Sequence, residues 1–371
     1  MSMTETSPEG AQRLASHVLQ RILKVKRGQS VMIESWTHSL PWARAFVLES
    51  RRRGAPPMVL YEDEEAYWQS LEKFGPKSVG TPCPAEWGAL AKAGAYIFFW
   101  GPGDRARFER LPLSERRKAT AYNSDWYKCA QKAGFRGVRM EIGRATPSLA
   151  EAYGVDREAW ERELVAASLV EPSVLSRNGK PWVTALTRAH TLRITHPNGT
   201  DVTIPLARRR PELFTGEAAQ DPKSPIWDRF VSLPAGVLSV TLDGSAVTGT
   251  FVATEACYLG LDRLEGGRMV FEAGKLKEHS FGKGAELFDR EYARGGKGRD
   301  LVSWMSIGLN PELHLSPNGE DMPAGNVTLG IGRNVQMDGK NSSSLSAYLS
   351  LAGAQASVDG KELPLPSTGP A

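Results

Sequence analysis

The 371-residue sequence is poor in the features that most often disclose a function. It holds 3 cysteines, Cys83, Cys129 and Cys257, widely spaced and without a CxxC pair. That argues against a disulfide framework or a thiolate zinc site and leaves buried or idle thiols. No apolar run approaches the roughly 20 residues that a bilayer crossing needs, so no membrane partner is expected. The stretch from Met1 to Gln12 is polar and carries Glu5 and Glu9, without the basic-then-apolar order of a signal peptide, and a cytoplasmic location is the expectation. Charge of one sign is also scarce: 46 Lys and Arg stand against 42 Asp and Glu, a net of +4. The basic runs Arg51–Arg53, Arg116–Lys118 and Arg208–Arg210 are short, separated and balanced by nearby acids, so they read as solvated surface and nucleic acid is not the expected partner. The 6 histidines are scattered. His190 and His196 fall on one side of an ideal strand but about 20 Å apart along it, too far to share an ion. His17, His38, His279 and His314 are isolated, and all read as ordinary surface or hydrogen-bonded histidines. The turn Gly101-Pro102-Gly103 follows an apolar run as a phosphate loop would. It lacks a third glycine and a following Lys-Ser/Thr, so a plain turn is expected and no cofactor.

What is present describes a folded chain. A hydrophobic fraction of 41% with 24% charged residues is globular, and the length suggests two domains. In the first half, Leu14, Val18, Leu19, Ile22 and Leu23 recur at helical spacing and Gly28 closes the pattern before a strand at Val31–Glu34. A second helix begins near Pro41 and ends at Gly54, ahead of a strand at Met58–Tyr61. Ala95–Trp100 is a continuous apolar run of the kind covered on both faces. Strand-helix-strand repetition implies a parallel sheet wrapped by helices. After a helix over Arg157–Val170 the texture changes. From Trp182 onward β-branched and polar residues alternate, as in Leu192–Thr195 and Val202–Ile204, with Asn198-Gly199 a strong hairpin turn. Asp243-Gly244 stands between Leu238–Leu242 and Ala246–Val252 in the same way, and a helix is expected around Ala285–Ala293. The fold class is therefore α/β plus α+β: an N-terminal parallel α/β domain, residues 1–178, followed by a mostly antiparallel β-rich C-terminal domain, residues 179–371.

An ordered set of short segments carries a resemblance. Ser30–Ser35 followed by Trp36-Thr37-His38-Ser39-Leu40-Pro41, then Arg53-Gly54-Ala55 and the run Glu62–Trp68, are followed by Asn198-Gly199-Thr200-Asp201 and Leu233-Pro234-Ala235-Gly236. Later come Gly308-Leu309-Asn310-Pro311, Gly332-Arg333-Asn334 and Val358-Asp359-Gly360. No single segment is specific, but in this order over nearly the whole chain they resemble the aminopeptidase T/aminopeptidase S family, whose members include proteins named leucyl aminopeptidase. The resemblance implies two divalent ions in the second domain, held by carboxylates and imidazoles, and a homodimer formed through that domain. Each of the family's ligand positions falls here on another side chain. The glutamate after Leu-Pro-Ala-Gly is Val237, the glutamate ahead of Gly-Thr-Asn-Pro is Trp304, the first histidine is Thr328, and the His-x-Asp pair is Ser346 and Tyr348. A Val, a Trp, a Thr, a Ser and a Tyr cannot assemble a dinuclear site. Relatives on this scaffold that open dihydroxypyridine rings with one iron also draw on the His-x-Asp pair, so that reading meets the same obstacle.

The expectation is a catalytically inactive, metal-free protein that binds a peptide or amino-acid-like ligand at Val237, Trp304, Thr328, Ser346 and Tyr348, consistent with an accessory role, as a homodimer. An enzyme of another class, using Tyr348, Ser346, His314, Glu320 or Asp321 as acid, base or nucleophile, is the alternative. A working metalloaminopeptidase comes third.

Overall fold

The computed structural model describes residues 8–206, 210–243, 245–314, 317, 319 and 321–367. By their contacts these form two units, Met1–Leu169 with Gly216–Pro234, and Val170–Thr215 with Ala235–Ala371.

The first unit is built on a five-stranded, wholly parallel sheet. Its strands, in spatial order, are Pro57–Glu62, Val31–Trp36, Ala95–Phe99, Arg136–Met140 and Phe230–Leu233. The central strand is the apolar run singled out in the sequence, and Ala95, Tyr96, Ile97 and Phe99 are buried on both its faces. Helix Leu40–Arg52, between strands Val31–Trp36 and Pro57–Glu62, carries a proline in its first turn and buries Trp42, Ala43, Phe46 and Glu49. The carboxylate of Glu49 is held by Arg52 and by Arg53 (Nε–Oε1 2.8 Å), so this buried acid is compensated. The fifth strand comes from far along the chain. Residues 216–234 return to the first unit from within the stretch that composition assigns to the β-rich half, because Phe230–Leu233 supplies a parallel partner for Arg136–Met140.

The second unit holds two main antiparallel sheets and a short hairpin of Cys257–Leu259 with Asp262–Leu264. In the seven-stranded sheet the order is Lys275–Ser280, Arg268–Glu272, Thr248–Val252, Thr200–Pro205, Thr191–His196, Gln355–Val358 and Lys361–Glu362. The five-stranded sheet runs Ser346–Leu351, Val327–Gly332, Val302–Gly308, Val237–Thr241 and Glu212–Phe214. The α/β plus β-rich architecture expected from the sequence is the one observed. Helix Ala285–Arg294 lies where it was expected.

Two local expectations need correction. Trp182 does not begin the β texture but lies inside a helix, Pro172–Arg188. Leu175, Gly179, Trp182 and Leu186 fall on one buried stripe at helical spacing, and that periodicity outweighs the β-branched residues Val183, Thr184 and Thr187 around it. Asp243-Gly244 is not a hairpin turn either. The strands flanking it, Val237–Thr241 and Thr248–Val252, belong to different sheets. Asp243 is drawn into the loop that follows Asn334, accepting from Asn334 Nδ2 at 2.6 Å and from the backbone N–H of Lys340 at 2.7 Å. Gly244 lies outside the described residues.

Candidate functional site

The five positions at which the resemblance leads metal ligands to be expected come from four strands of one sheet. Cross-strand register sets their directions. Trp304 stands opposite Thr241 on one side and Gly330 on the other, and Gly330 stands opposite Tyr348. One row along, Ser306 is opposite Ser239 and Thr328, and Thr328 is opposite Ser350. Side chains two apart share a face. Val237, Trp304, Thr328, Ser346 and Tyr348 therefore all emerge on the same face of the five-stranded sheet, together with Ser239, Thr241, Ser306 and Ser350. The opposite face carries Leu238, Val240, Met305, Ile307, Leu329, Ile331 and Leu349, all buried. Next to it lies the residue just ahead of strand Arg268–Glu272 of the seven-stranded sheet, since a Cβ on Gly267 would come within 2.3 Å of the Leu349 side chain.

The polar face is largely closed. Trp304 is buried, and its indole lies over Gly330, with ring centroids of Trp304 and Tyr348 6.0 Å apart and tilted by 49°. Thr328 and Ser350 are fully buried and share a hydrogen bond, Oγ1 to Oγ, of 2.9 Å. Val237 and Tyr348 are half-buried, and Ser346 is exposed. The Ser239 hydroxyl approaches the Met305 carbonyl at 3.5 Å, and Thr241 donates to the Met337 carbonyl at 2.6 Å. The Ser306 hydroxyl, at the centre of this row, is buried and finds no partner among the described residues. A buried hydroxyl left unpaired costs roughly 1–3 kcal/mol, so its position is informative.

A cleft of about 820 Å³ opens beside Thr241, at the end of the same face. Arg210, Lys297 and Lys340 line it together with Glu212, Asp243 and Asp338, and Met337 and Leu301 give it an apolar part. It offers charges of both signs within one concavity.

His314 and Asp321 are not on this face. They lie on the connection between strands Val302–Gly308 and Val327–Gly332, and Glu320 lies outside the described residues. Loss of water around the Asp321 carboxyl pushes its pKa up to about 6. The connection folds back on itself: Leu309 and Asn310 N–H donate to the Met322 carbonyl, and Asn310 Nδ2 donates to the Ala235 carbonyl at 2.7 Å.

The donor set does not suit a dinuclear centre. At the five positions stand an aliphatic group, an indole, two hydroxyls and a phenol. Among the described residues no group of three or more His, Cys, Asp or Glu is arranged to hold an ion. The row Ser239, Ser306 and Ser350 was not picked out from the sequence. Reading each strand onward at a period of two from Val237, Trp304 and Tyr348 reaches all three.

In the first unit the crevice at the carboxyl ends of the strands is filled by the chain itself. The sheet order reverses between Val31–Trp36 and Ala95–Phe99, the place where such sheets receive ligands. There the Trp36 indole lies against Gly101, where a Cβ would come within 2.0 Å of the ring. The N–H groups of Gly103 and Asp104 donate to the Glu64 carboxylate at 2.6 and 3.0 Å, and Trp68 Nε1 donates to it at 2.8 Å. The amides that a phosphate would need are already engaged by a carboxylate.

A parallel α/β unit joined to an antiparallel unit of two main sheets defines the architecture, and solved structures share it over the whole chain. AmpT from Thermus thermophilus superimposes with a TM-score of 0.68 at 20% identity, covering 98% of this chain and 99% of its own. The 2,5-dihydroxypyridine dioxygenase of Pseudomonas putida KT2440 gives 0.62 at 16% identity, covering 98% and 97%. The chain has an aminopeptidase T-like fold. No model of a known protein family matches the sequence, and no curated protein matches it. Among the described residues no helix is long and apolar enough to cross a membrane.

Proposed function

We propose that this chain is a metal-free binding protein on an aminopeptidase T-like scaffold, which takes a peptide or an amino-acid-like ligand and releases it unchanged. The observation that carries the reading is the composition of one sheet face. The five positions expected from the resemblance to bear metal ligands share that face, carry no carboxylate or imidazole, and surround the unpaired hydroxyl of Ser306. Exchanging a dication and its anionic ligands together for neutral groups leaves no uncompensated charge. The exposed hydroxyl of Ser346 and the edges of Trp304 and Tyr348 are suited to the amide and side chain of a peptide, since aromatic rings supply contact area and hydroxyls both donate and accept. The neighbouring cleft, with its charges of both signs, suits the termini of a zwitterion.

The test is titration of intrinsic tryptophan fluorescence with a peptide and amino-acid library, followed by mass spectrometry of the recovered ligand. The reading expects a saturable signal and an intact ligand. It fails if no peptide or amino acid perturbs the signal, or if the ligand returns cleaved.

A further inference from the structure

Trp100 stands just past the end of strand Ala95–Phe99, at the carboxyl edge of the parallel sheet, and two guanidinium groups lie over its indole. Arg105, 5.5 Å from the ring centroid, is ion-paired with Glu109 at 2.5 Å. Arg139, at 4.8 Å, has no such partner: among the described residues it makes no hydrogen bond and no ion pair, and its Nε is buried without an acceptor. Glu141, the acid two residues on, is paired with Arg144 at 3.6 Å. Trp100 Nε1 is likewise a buried donor without an acceptor. Two donors, one of them charged, thus meet at one ring with nothing to accept from them, an arrangement that is unfavourable until something supplies the acceptor.

Strand register shows what surrounds the pair. Glu34, Phe98, Arg139 and Ser232 are successive partners across four adjacent strands, so their side chains share one face of the sheet. The Arg139 guanidinium also lies over Phe230, 5.5 Å from its centroid, and Phe98 meets Trp100 edge-on at 5.7 Å. Phe98, Trp100 and Phe230 are each half-buried and Ser232 is exposed, so this ring-walled corner reaches solvent. Such sheets receive ligands at the carboxyl ends of their strands, and the corner lies one strand over from the crevice that Trp36 and Gly101 fill.

The chemistry of the corner selects its occupant. An arginine stacked on aromatic rings keeps the edge of its planar fork for a carboxylate or a phosphate. One guanidinium balances one negative charge. Glu34 stands about 10 Å away, two strands over in the same row. Glu62 and Glu86 are close enough to act on it electrostatically, and acids so placed repel a second negative charge. We propose that Arg139 and the Trp100 indole N–H hold the carboxylate of a small aromatic acid, whose ring lies against Phe98, Trp100 and Phe230. The site is wholly within the first unit and does not rest on the reading of the second-unit face.

Isothermal titration calorimetry with phenylacetate and indoleacetate tests this, with phenylacetamide and inorganic phosphate as contrasting probes. Saturable binding of at least one acid is expected, and neither the amide nor phosphate should compete. Arg139→Gln should weaken the acid about 10- to 150-fold, the range for a hydrogen bond to a charged group. Trp100→Phe, which keeps a ring but removes the N–H, should weaken it about tenfold. The proposal is overturned if neither acid binds, if phenylacetamide binds as tightly, if phosphate displaces the acid, or if Arg139→Gln binds it as the parent does. Should Arg139→Gln not fold, Trp100→Phe decides: weaker binding at an unchanged melting temperature supports the site, and parent affinity removes it.

Discussion

Trp304 and Gly330 are cross-strand partners, and the Trp304 indole occupies the space in which a side chain at position 330 would begin, with ring atoms 2.1 Å from an ideal Cβ. A large aromatic group can occupy a position expected to carry a small carboxylate ligand because the residue opposite has no side chain. The pair thus closes much of the polar face and presents only the ring edge beside Tyr348.

Gly330→Ala should therefore expel the indole, at a cost of about 1–3 kcal/mol for overpacking. Trp304→Ala should cost about 3–5 kcal/mol, as for other buried aromatic truncations. Urea unfolding of both variants checks this. A Gly330→Ala protein as stable as the parent would mean that the ring is not seated where it is described.

Restoring part of a metal site should not restore chemistry. With Ser346→His and Tyr348→Asp together, Val237, Trp304 and Thr328 still offer no anionic or imidazole donor, and two groups on an edge strand do not make a dinuclear centre. Peptidase assay in the presence of added zinc, cobalt or manganese should read background. Turnover above background in this double variant would show that the remaining donors come from elsewhere in the chain.

Glu64→Ala should leave Gly103 N–H, Asp104 N–H and Trp68 Nε1–H without their acceptor, and the expected loss is about 1–3 kcal/mol. Glu64→Gln, which keeps an acceptor oxygen, should lose less. Thermal unfolding of the two variants side by side measures the difference, and equal losses would contradict an acceptor role for the carboxylate.

Burial pushes the Glu34 carboxyl up to about 7, with Glu86 and Glu62 acting in the same direction and the hydrogen bond from the Tyr96 hydroxyl opposing. Between its ordinary value of 4.5 and about 7 the folded chain holds a proton that the unfolded chain has released. The resulting stability is complete below pH 4.5 and is lost as pH rises through 7. Glu34→Gln, neutral throughout, should remove this slope and be more stable than the parent at pH 8 by an amount of order 1–3 kcal/mol. Melting temperatures of both proteins across pH 4.5–8 provide the check, and parallel curves would contradict it.

Much of the fold was legible because the segments that carry the family resemblance are structural. Asp359 and Gly360 take positive φ, 47° and 80°, in the turn between Gln355–Val358 and Lys361–Glu362, and the Asp359 carboxylate also accepts from the N–H groups of His190 and Thr191. Asn198 accepts from Thr200 N–H in its hairpin, Asn310 ties its loop to Ala235, and Asn334 binds Asp243 and the Ser303 carbonyl. Such residues are dictated by backbone geometry, which a fold keeps when its chemistry changes. The site was less legible. A buried serine among Val and Ile reads as an ordinary strand residue, and only the register between strands gathers Ser239, Ser306 and Ser350 into a row. The helix over Trp182 was obscured by the β-branched residues that interrupt its buried stripe, whereas the strands around Asp243 were separated by pairing with partners far away in sequence.

Elemental analysis of the untagged protein, purified without chelator, tests the central claim most directly. The account predicts no stoichiometric zinc, cobalt, manganese or iron. About one or two tightly held ions per chain, the content of a mono- or dinuclear site, would contradict it, because Val237, Trp304, Thr328, Ser346 and Tyr348 would then not be the positions that decide metal binding.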